Sequence, residues 1–286
     1  SSLNIWSGIF IDLIAIFLII YIVSSPYDAT FYKPFIMLYV FTQYAKVTIY
    51  ELPITFKVVY EDTHILIVDK PAGLLVHEDI NESVNTLSNQ VLTYLYQKGE
   101  YDPEKNISFT PGPVHRLDRN TSGLVIFGKD MRALQDLNTM MKTRQGIEKK
   151  YLTIAMGHMK DATLSGYVKK NEDEGKMYLV KKDTPGALSM KTIVHVLKKC
   201  STCSLVEVQL ITGRTHQIRV HMQYIEHPIA GDPKYGPRKT IQANGQLLHA
   251  CALEFVHPTT HEKMHFEVPL EPTFEKVLNE LREGEE

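Results

Sequence analysis

The sequence predicts an α+β fold built on a long mixed sheet whose strands run mostly antiparallel. Three observations carry that prediction. From Phe56 onward, short runs rich in β-branched and aromatic residues recur without the strict strand–helix alternation of a doubly wound fold. Only a few stretches show the three- and four-residue apolar spacing of an amphipathic helix. No internal repeat or low-complexity tract breaks the pattern, and no strong domain boundary follows residue 56.

The elements can be taken in order. "FKVVYEDTHILIVDKPAGLLVH" contains two strands, at 57–60 and 64–69, separated by a polar turn. Lys70-Pro71-Ala72-Gly73 then breaks the second strand. Residues 83–98 read as a helix, with Val84, Leu87, Val91, Leu92 and Leu95 at mixed three- and four-residue spacings. "GEYDPEKNISFTPGP" is a Pro/Gly-rich loop, and "LVIFGK" (124–129) is a short buried strand. Met131, Leu134, Leu137, Met140 and Met141 line one face of a helix. Beyond "KKYLTIAMG" comes a long charged loop around "KKNEDEGK", then alternating strands at 192–198 and 205–211. A helix over "RTHQIRVHMQYI", a last strand in "KMHFEVPL" and a helical acidic tail from Glu271 complete the order.

Composition narrows the classes of function. The chain is long enough for one large domain or two small ones, with apolar and charged fractions that permit a core without covalent staples. A formal net charge of -2 argues against a tail-driven nucleic-acid binder, although a local basic face can coexist with a near-neutral total. Three cysteines, Cys200, Cys203 and Cys251, form an odd and sparse set that reads as a reducing compartment, here taken as the cytoplasm. Cys200 and Cys203 have redox or zinc spacing, but no second pair completes a four-ligand site, and a hairpin turn is the natural reading. The histidines are scattered and no Gly-rich phosphate loop is present, so neither a metal nor a nucleotide cofactor is expected.

Residues 1–55 differ from the rest. Residues 3–23, "LNIWSGIFIDLIAIFLIIYIV", are almost wholly apolar and long enough to span a bilayer, yet Asp12 lies inside the run. No Lys or Arg precedes it, so the basic flank of a signal peptide is missing. A membrane anchor, a partner-covered extension and a segment foreign to the functional protein all remain open.

Two clusters carry the chemistry. "GPVHRLDRNTSGLVIFGKD" sets Asp118 between Arg116 and Arg119, whose charges would favour an ionised carboxylate, and such a carboxylate is a competent nucleophile when held in place. The bland alternative is a turn aspartate accepting bonds from Thr121 and Ser122, and on spacing alone that is the commoner outcome. "LITGRTHQIRVHMQ" adds Arg214, His216, Arg219 and His221; if 215–225 is helical, His216 and Arg219 share a face. Two basic-polar clusters beside apolar runs suit a shared cleft.

"HRLDRNTSG", "KKYLTIAMG", "GRTHQIRVH" and "HPIAGDPKYG" together resemble the RluA-type family of RNA pseudouridine synthases, and "YEDTHILIVDKPAGLLVH" resembles that family's opening strands. The likeness covers residues 56–270 and implies the pseudouridine synthase fold, a long mixed sheet with a central catalytic cleft and flanking helices, over a single catalytic domain at 56–286. By the resemblance Asp118 is the catalytic aspartate, Tyr151 the active-site tyrosine that packs on the target base, and Arg219 the arginine that pairs with the carboxylate. Arg116 matches a residue that fills the gap left by the extruded nucleotide, and Leu117, Ile218 and Thr121 belong to the pocket. Arg116, Arg119, Arg214, His216, Lys149 and Lys150 would meet RNA. A stacked uridine cannot react, so the base must flip out. Longer family members carry a basic S4 RNA-binding module in the place of residues 1–55, which lack its charge. The resulting expectation is a monomeric, cofactor-free enzyme acting on large-subunit ribosomal RNA. Its alternatives are a transfer-RNA-directed synthase of the same family, a catalytically silent RNA-binding protein, and a membrane-anchored protein carrying this domain.

Overall fold

A computed structural model describes residues 47–172, 174–200, 202–236, 243 and 245–283. The apolar run at 3–23 lies outside the described residues; among those described, no helix is long and apolar enough to cross a membrane. One compact unit begins at Ile49. The Tyr50 carbonyl accepts the Thr93 hydroxyl, and Gln90 Oε1 accepts the N–H and hydroxyl of Thr55, so this stretch is tied to the first helix ahead of Phe56.

Eleven strands among the described residues form one sheet. β1 (Lys57–Glu61) and β2 (Ile65–Lys70) precede α1 (Leu87–Gln97), whose N-cap Thr86 accepts the Asn89 N–H. β3 (Gly112–Pro113), β4 (Ser122–Gly128), α2 (Met131–Thr143) and β5 (Ile147–Met156) follow. Then come β6 (Ala162–Asn171), β7 (Lys176–Val180), β8 (Leu188–Lys199), β9 (Cys203–Leu210) and α3 (Gln217–Tyr224). β10 (Leu248–Val256), β11 (Lys263–Glu267) and α4 (Pro272–Glu283) close the chain. The strands lie in the order β1-β2-β4-β10-β5-β9-β8-β6-β7, with β3 paired to β4 and β11 to β10. Every pairing is antiparallel except β4 with β10, so the sheet is mixed and mostly antiparallel.

The parallel contact fixes the middle of the sheet. All seven residues of β4 are buried, which is why that segment reads as a continuous apolar run instead of an alternating one. Ser122 Oγ and His249 Nδ1 bond across the pair at 2.8 Å. Gly123 has φ +106, and a Cβ there would stand 2.2 Å from the Ala250 carbonyl oxygen, so the approach of β10 requires glycine.

Helices cover the sheet with small separate cores. α2 turns Ala133, Leu137 and Met141 onto Ile65, Ile126, Leu253 and Phe255. α4 brings Phe274, Val277 and Leu278 to Ile154, Leu205 and Leu247. α3 contributes Val220 to a cluster with Val168, Met177, Met190 and Tyr235, which seats it beside β6, β7 and β8.

Three expectations need correction. The stretch around "KKNEDEGK" is no long loop but the β6–β7 hairpin; its lysines take exposed or half-buried strand positions while Val168 and Met177 face inward. Helix α3 starts at Gln217, because His216 takes φ 52 and ψ 21, outside right-handed helical space. β10, "LHACALEFV", was unassigned, since near-complete burial leaves no alternation to read.

Candidate active site

The turn between β3 and β4 carries Asp118. Its carbonyl accepts the Thr121 N–H (3.0 Å), and the next carbonyl, of Arg119, accepts the Gly73 N–H (2.9 Å). Lys70 ties this turn from within. It is wholly buried at the end of β2, and its Nζ donates to the carbonyls of Arg119 (3.0 Å), Pro71 (3.0 Å) and Leu74 (2.7 Å). Burial pushes Lys70 down to about 7 against the pull of Glu271, Asp118 and Asp69. Three carbonyls accepting its three N–H bonds favour the ammonium form.

The Asp118 carboxylate does not close a local turn. Its hydrogen-bond partner among the described residues is Arg219, whose Nη1 donates to Asp118 Oδ2 at 2.9 Å. Arg219 rises from α3, is 5 % exposed, and is gripped from behind by Asp232: Nε to Oδ2 at 2.7 Å and Nη2 to Oδ1 at 2.8 Å. The guanidinium also lies 5.1 Å from the centre of the Tyr235 ring. Against the cost of burial, Asp232 and then Asp118 hold the Arg219 pKa above its ordinary value. Asp232 itself is held below the usual carboxylate range: Arg219 and the N–H groups of Tyr235 and Lys234 outweigh its burial. The cation beside Asp118 is therefore Arg219, from a remote helix, and not its neighbours in the chain.

α3 is locked in place by its first residue. Gln217 accepts from the Arg214 N–H (3.0 Å) and the Thr212 hydroxyl (2.7 Å), and donates to the Lys191 carbonyl (3.0 Å) and Thr192 Oγ1 (2.9 Å). Just before it, His216 places Nε2 3.8 Å from Asp118 Oδ2 and bonds Tyr235 through Nδ1 (2.9 Å).

Around Asp118 lies a cleft of about 90 Å3 lined by Arg116, Leu117, Thr121, Lys149, Tyr151, Arg214, His216, Ile218 and Arg219, among others. Tyr151, 4 % exposed on β5, forms one wall. Burial, then the Asp118 charge, push its phenol well up, so it stays protonated at neutral pH and can donate a hydrogen bond.

Two residues expected at the RNA surface lie elsewhere. Lys150 points to the face of β5 opposite Tyr151, as successive residues of a strand do, and pairs with Glu207 at 3.1 Å. The Arg119 side chain lies outside the cleft lining and pairs with Asp79 at 3.4 Å; only its carbonyl serves the site, through Lys70 and Gly73.

Sequence reasoning missed four contributors. Asp232 and Tyr235 both lie in "HPIAGDPKYG", a segment quoted for its family likeness with no role given. Lys70 was read only as part of a strand break. Arg144, the left-handed C-cap of α2 at φ 61, lays its guanidinium against Gly213, where a Cβ would meet Nη2 at 2.3 Å. Arg144, Lys149 and Arg214 gather here, and none pairs with a carboxylate among the described residues. Burial, then Arg144, push Lys149 down to about 7. A larger cavity of about 490 Å3, lined by Lys57, Asp69, Asn120, Glu271 and Phe274 among others, shares only Leu248 with the cleft. The titratable groups converge on the smaller space, which marks it as the candidate site.

A carboxylate held by a buried arginine, an aromatic wall and basic side chains with no carboxylate partner among the described residues make a cleft suited to an anionic substrate. A family model described as RNA pseudouridylate synthase matches residues 64–224. An uncharacterized RNA pseudouridine synthase of Bacillus subtilis is 38 % identical over 81 % of this chain and 75 % of its own length. Ribosomal large subunit pseudouridine synthase C of Vibrio cholerae is 33 % identical over 79 % of this chain and 70 % of its own. A solved structure, human RNA pseudouridylate synthase domain containing 4, superposes with a TM-score of 0.63 at 23 % identity, covering 79 % of this chain and 92 % of the human one. The chain belongs to the RluA-type family of RNA pseudouridine synthases, enzymes that isomerise uridine in RNA, and has their α+β fold.

Proposed function

We propose that this enzyme converts specific uridines of large-subunit ribosomal RNA to pseudouridine, with Asp118 as the nucleophile. The observation that carries the reading is the Asp118 carboxylate, bonded to Arg219 at 2.9 Å inside a cleft walled by Tyr151. The ribosomal target is supported by relatives whose names assign them to the large subunit, synthases C and D among them. The isomerisation breaks the N1–C1′ bond, forms a C5–C1′ bond and exchanges a proton at C5 for one at N1, so it balances without a co-reactant. What the chain must supply is a nucleophile, a grip on the ribose and base, and control of protons. In this reading the uridine is flipped into the cleft, Tyr151 packs on its ring, and Arg116 at the rim fills the place it left. Arg144, Lys149 and Arg214 meet the phosphates on either side. The work is done by the chain from Phe56 onward, as a single copy, in the cytoplasm where the RNA resides.

Asp118→Asn should abolish tritium release from RNA carrying C5-labelled uridine while leaving the fold and RNA affinity close to wild type. Turnover above a few per cent of wild type would reject Asp118 as nucleophile. Mapping pseudouridine with carbodiimide chemistry in cells lacking the gene tests the target. Loss of one or a few large-subunit sites, restored by wild type and not by Asp118→Asn, is expected; a loss confined to transfer RNA would overturn the ribosomal assignment.

A further inference from the structure

Asp118 Oδ2 accepts from Arg219 Nη1 at 2.9 Å and has His216 Nε2 3.8 Å away, beyond hydrogen-bond length, while Oδ1 has no hydrogen bond among the described residues. His216 holds this position with φ 52 and ψ 21, a left-handed conformation that a non-glycine residue keeps where its surroundings favour it. Tyr235 is the group bonded to the other nitrogen of the ring. Its ring stands edge-on to the imidazole with centroids 5.5 Å apart, and its hydroxyl lies 2.9 Å from Nδ1.

That hydroxyl also decides where the imidazole carries its proton. The Met177 N–H donates to the Tyr235 oxygen at 2.8 Å. Among the described residues the phenol hydrogen then has one acceptor, His216 Nδ1, and a buried hydroxyl hydrogen left without an acceptor is costly. With Nδ1 accepting, a neutral ring bears its hydrogen on Nε2, the nitrogen turned toward Asp118. The charged and titratable groups around the ring are Asp118 from the turn before β4, Arg219 from α3, and Asp232, Lys234 and Tyr235 from the segment after α3. Burial lowers the imidazole pKa despite the Asp118 carboxylate, and Arg219 and Lys234 act in the same direction, so the ring is neutral at pH 7.

We infer that His216 is a positioning residue whose Nε2–H, set by the Tyr235 hydroxyl, presents its positive end to Asp118 Oδ2 from 3.8 Å beside the Arg219 bond and leaves Oδ1 as the attacking oxygen. The inference rests on the reading of Asp118 as nucleophile. It replaces the expected contact of His216 with RNA by a role inside the cleft, and gives Tyr235 the task of setting the tautomer.

Two measurements on the full chain test it. Ring nitrogen shifts of protein labelled with 15N-histidine, with His216 assigned from the His216→Gln difference spectrum, should show the Nε2–H tautomer in wild type. Tyr235→Phe, which keeps the ring and removes the hydroxyl, should move that population toward Nδ1–H. In single-turnover tritium release, Tyr235→Phe and His216→Asn should each lower the rate at least about tenfold with little change in RNA affinity. His216→Gln, whose amide nitrogen reaches the Nε2 position, should recover several-fold over His216→Asn. An Nδ1–H tautomer in wild type, or an unaltered rate in a folded Tyr235→Phe protein, would overturn the inference. The tautomer measurement needs no turnover, so a wild-type protein that releases no tritium would fail the proposed function while the geometry of His216 is still read directly.

Discussion

Arg219 presents five N–H bonds, and how they are shared decides what Asp118 can be. Asp232 takes two in a bidentate grip, which spends the fork geometry of the guanidinium on holding it still and leaves Nη1 for Asp118. An asparagine at 232 would keep the shape but place an amide NH2 against a buried cation. Breaking a buried pair in this way costs about 3–5 kcal/mol when no rearrangement relieves it. Asp232→Asn is therefore expected to lower the unfolding free energy by that order and the single-turnover rate at least about tenfold, with Asp118 intact in sequence. Urea unfolding and tritium release measure the two effects; an unchanged rate would show that Arg219 needs no second carboxylate. Asp118 and Arg219 were readable in the sequence because each sits in a dense polar cluster beside an apolar run. Asp232 was not, because its only local signal is a loop of Gly and Pro, and its partner stands on a helix that closes back over it.

At the level of elements, the site depends on fastening together loops that are far apart in sequence but lead off the neighbouring strands β2 and β4. The 71–74 loop after β2 and the Asp118 turn before β4 meet at the Nζ of Lys70, which no solvent reaches. Replacing it with methionine fills the same space and removes the buried charge, but takes the Lys70 donor from the carbonyls of Pro71 and Leu74 and leaves that of Arg119 with the Gly73 N–H alone. An unsatisfied buried acceptor costs about 1–3 kcal/mol, partly offset here by relief of the buried ammonium. Lys70→Met should therefore destabilise the fold by a few kcal/mol and loosen the Asp118 turn, seen as faster amide exchange at Gly73 and Thr121. Protection equal to wild type at both amides would mean the turn holds itself. Element types followed the sequence where periodicity was clear, as in α2, where Leu137 and Met141 repeat along one face. They failed for β10, buried on both faces, and for the β6–β7 hairpin, where charges on outward-facing strand positions imitate a loop.

Over the whole molecule, burial of neutral imidazoles links folding to pH. His221 is 2 % exposed, bonds Thr192 through Nδ1 at 2.8 Å, and has Nε2 buried with no hydrogen-bond partner among the described residues, so burial pushes its pKa down to about 4. His115 and His249 are also lowered, chiefly by burial. In the unfolded chain a histidine titrates near 6.5, so between about 6.5 and 4 the unfolded state binds protons that the folded state refuses. More protons on the unfolded side means stability rises with pH, and hence falls on acidification through that window and levels off below it. His221 alone contributes roughly 3 kcal/mol of this loss by pH 4, on the scale of 1.4 kcal/mol per pKa unit. In urea unfolding from pH 7 to pH 4, wild type should lose stability steadily, while His221→Gln should start lower at pH 7 yet show a shallower slope. A variant with the wild-type slope would locate the acid response in the other buried imidazoles, His115 and His249, because the lowered pKa values of Asp62 and Asp232 confine their contribution to solutions more acidic than this window.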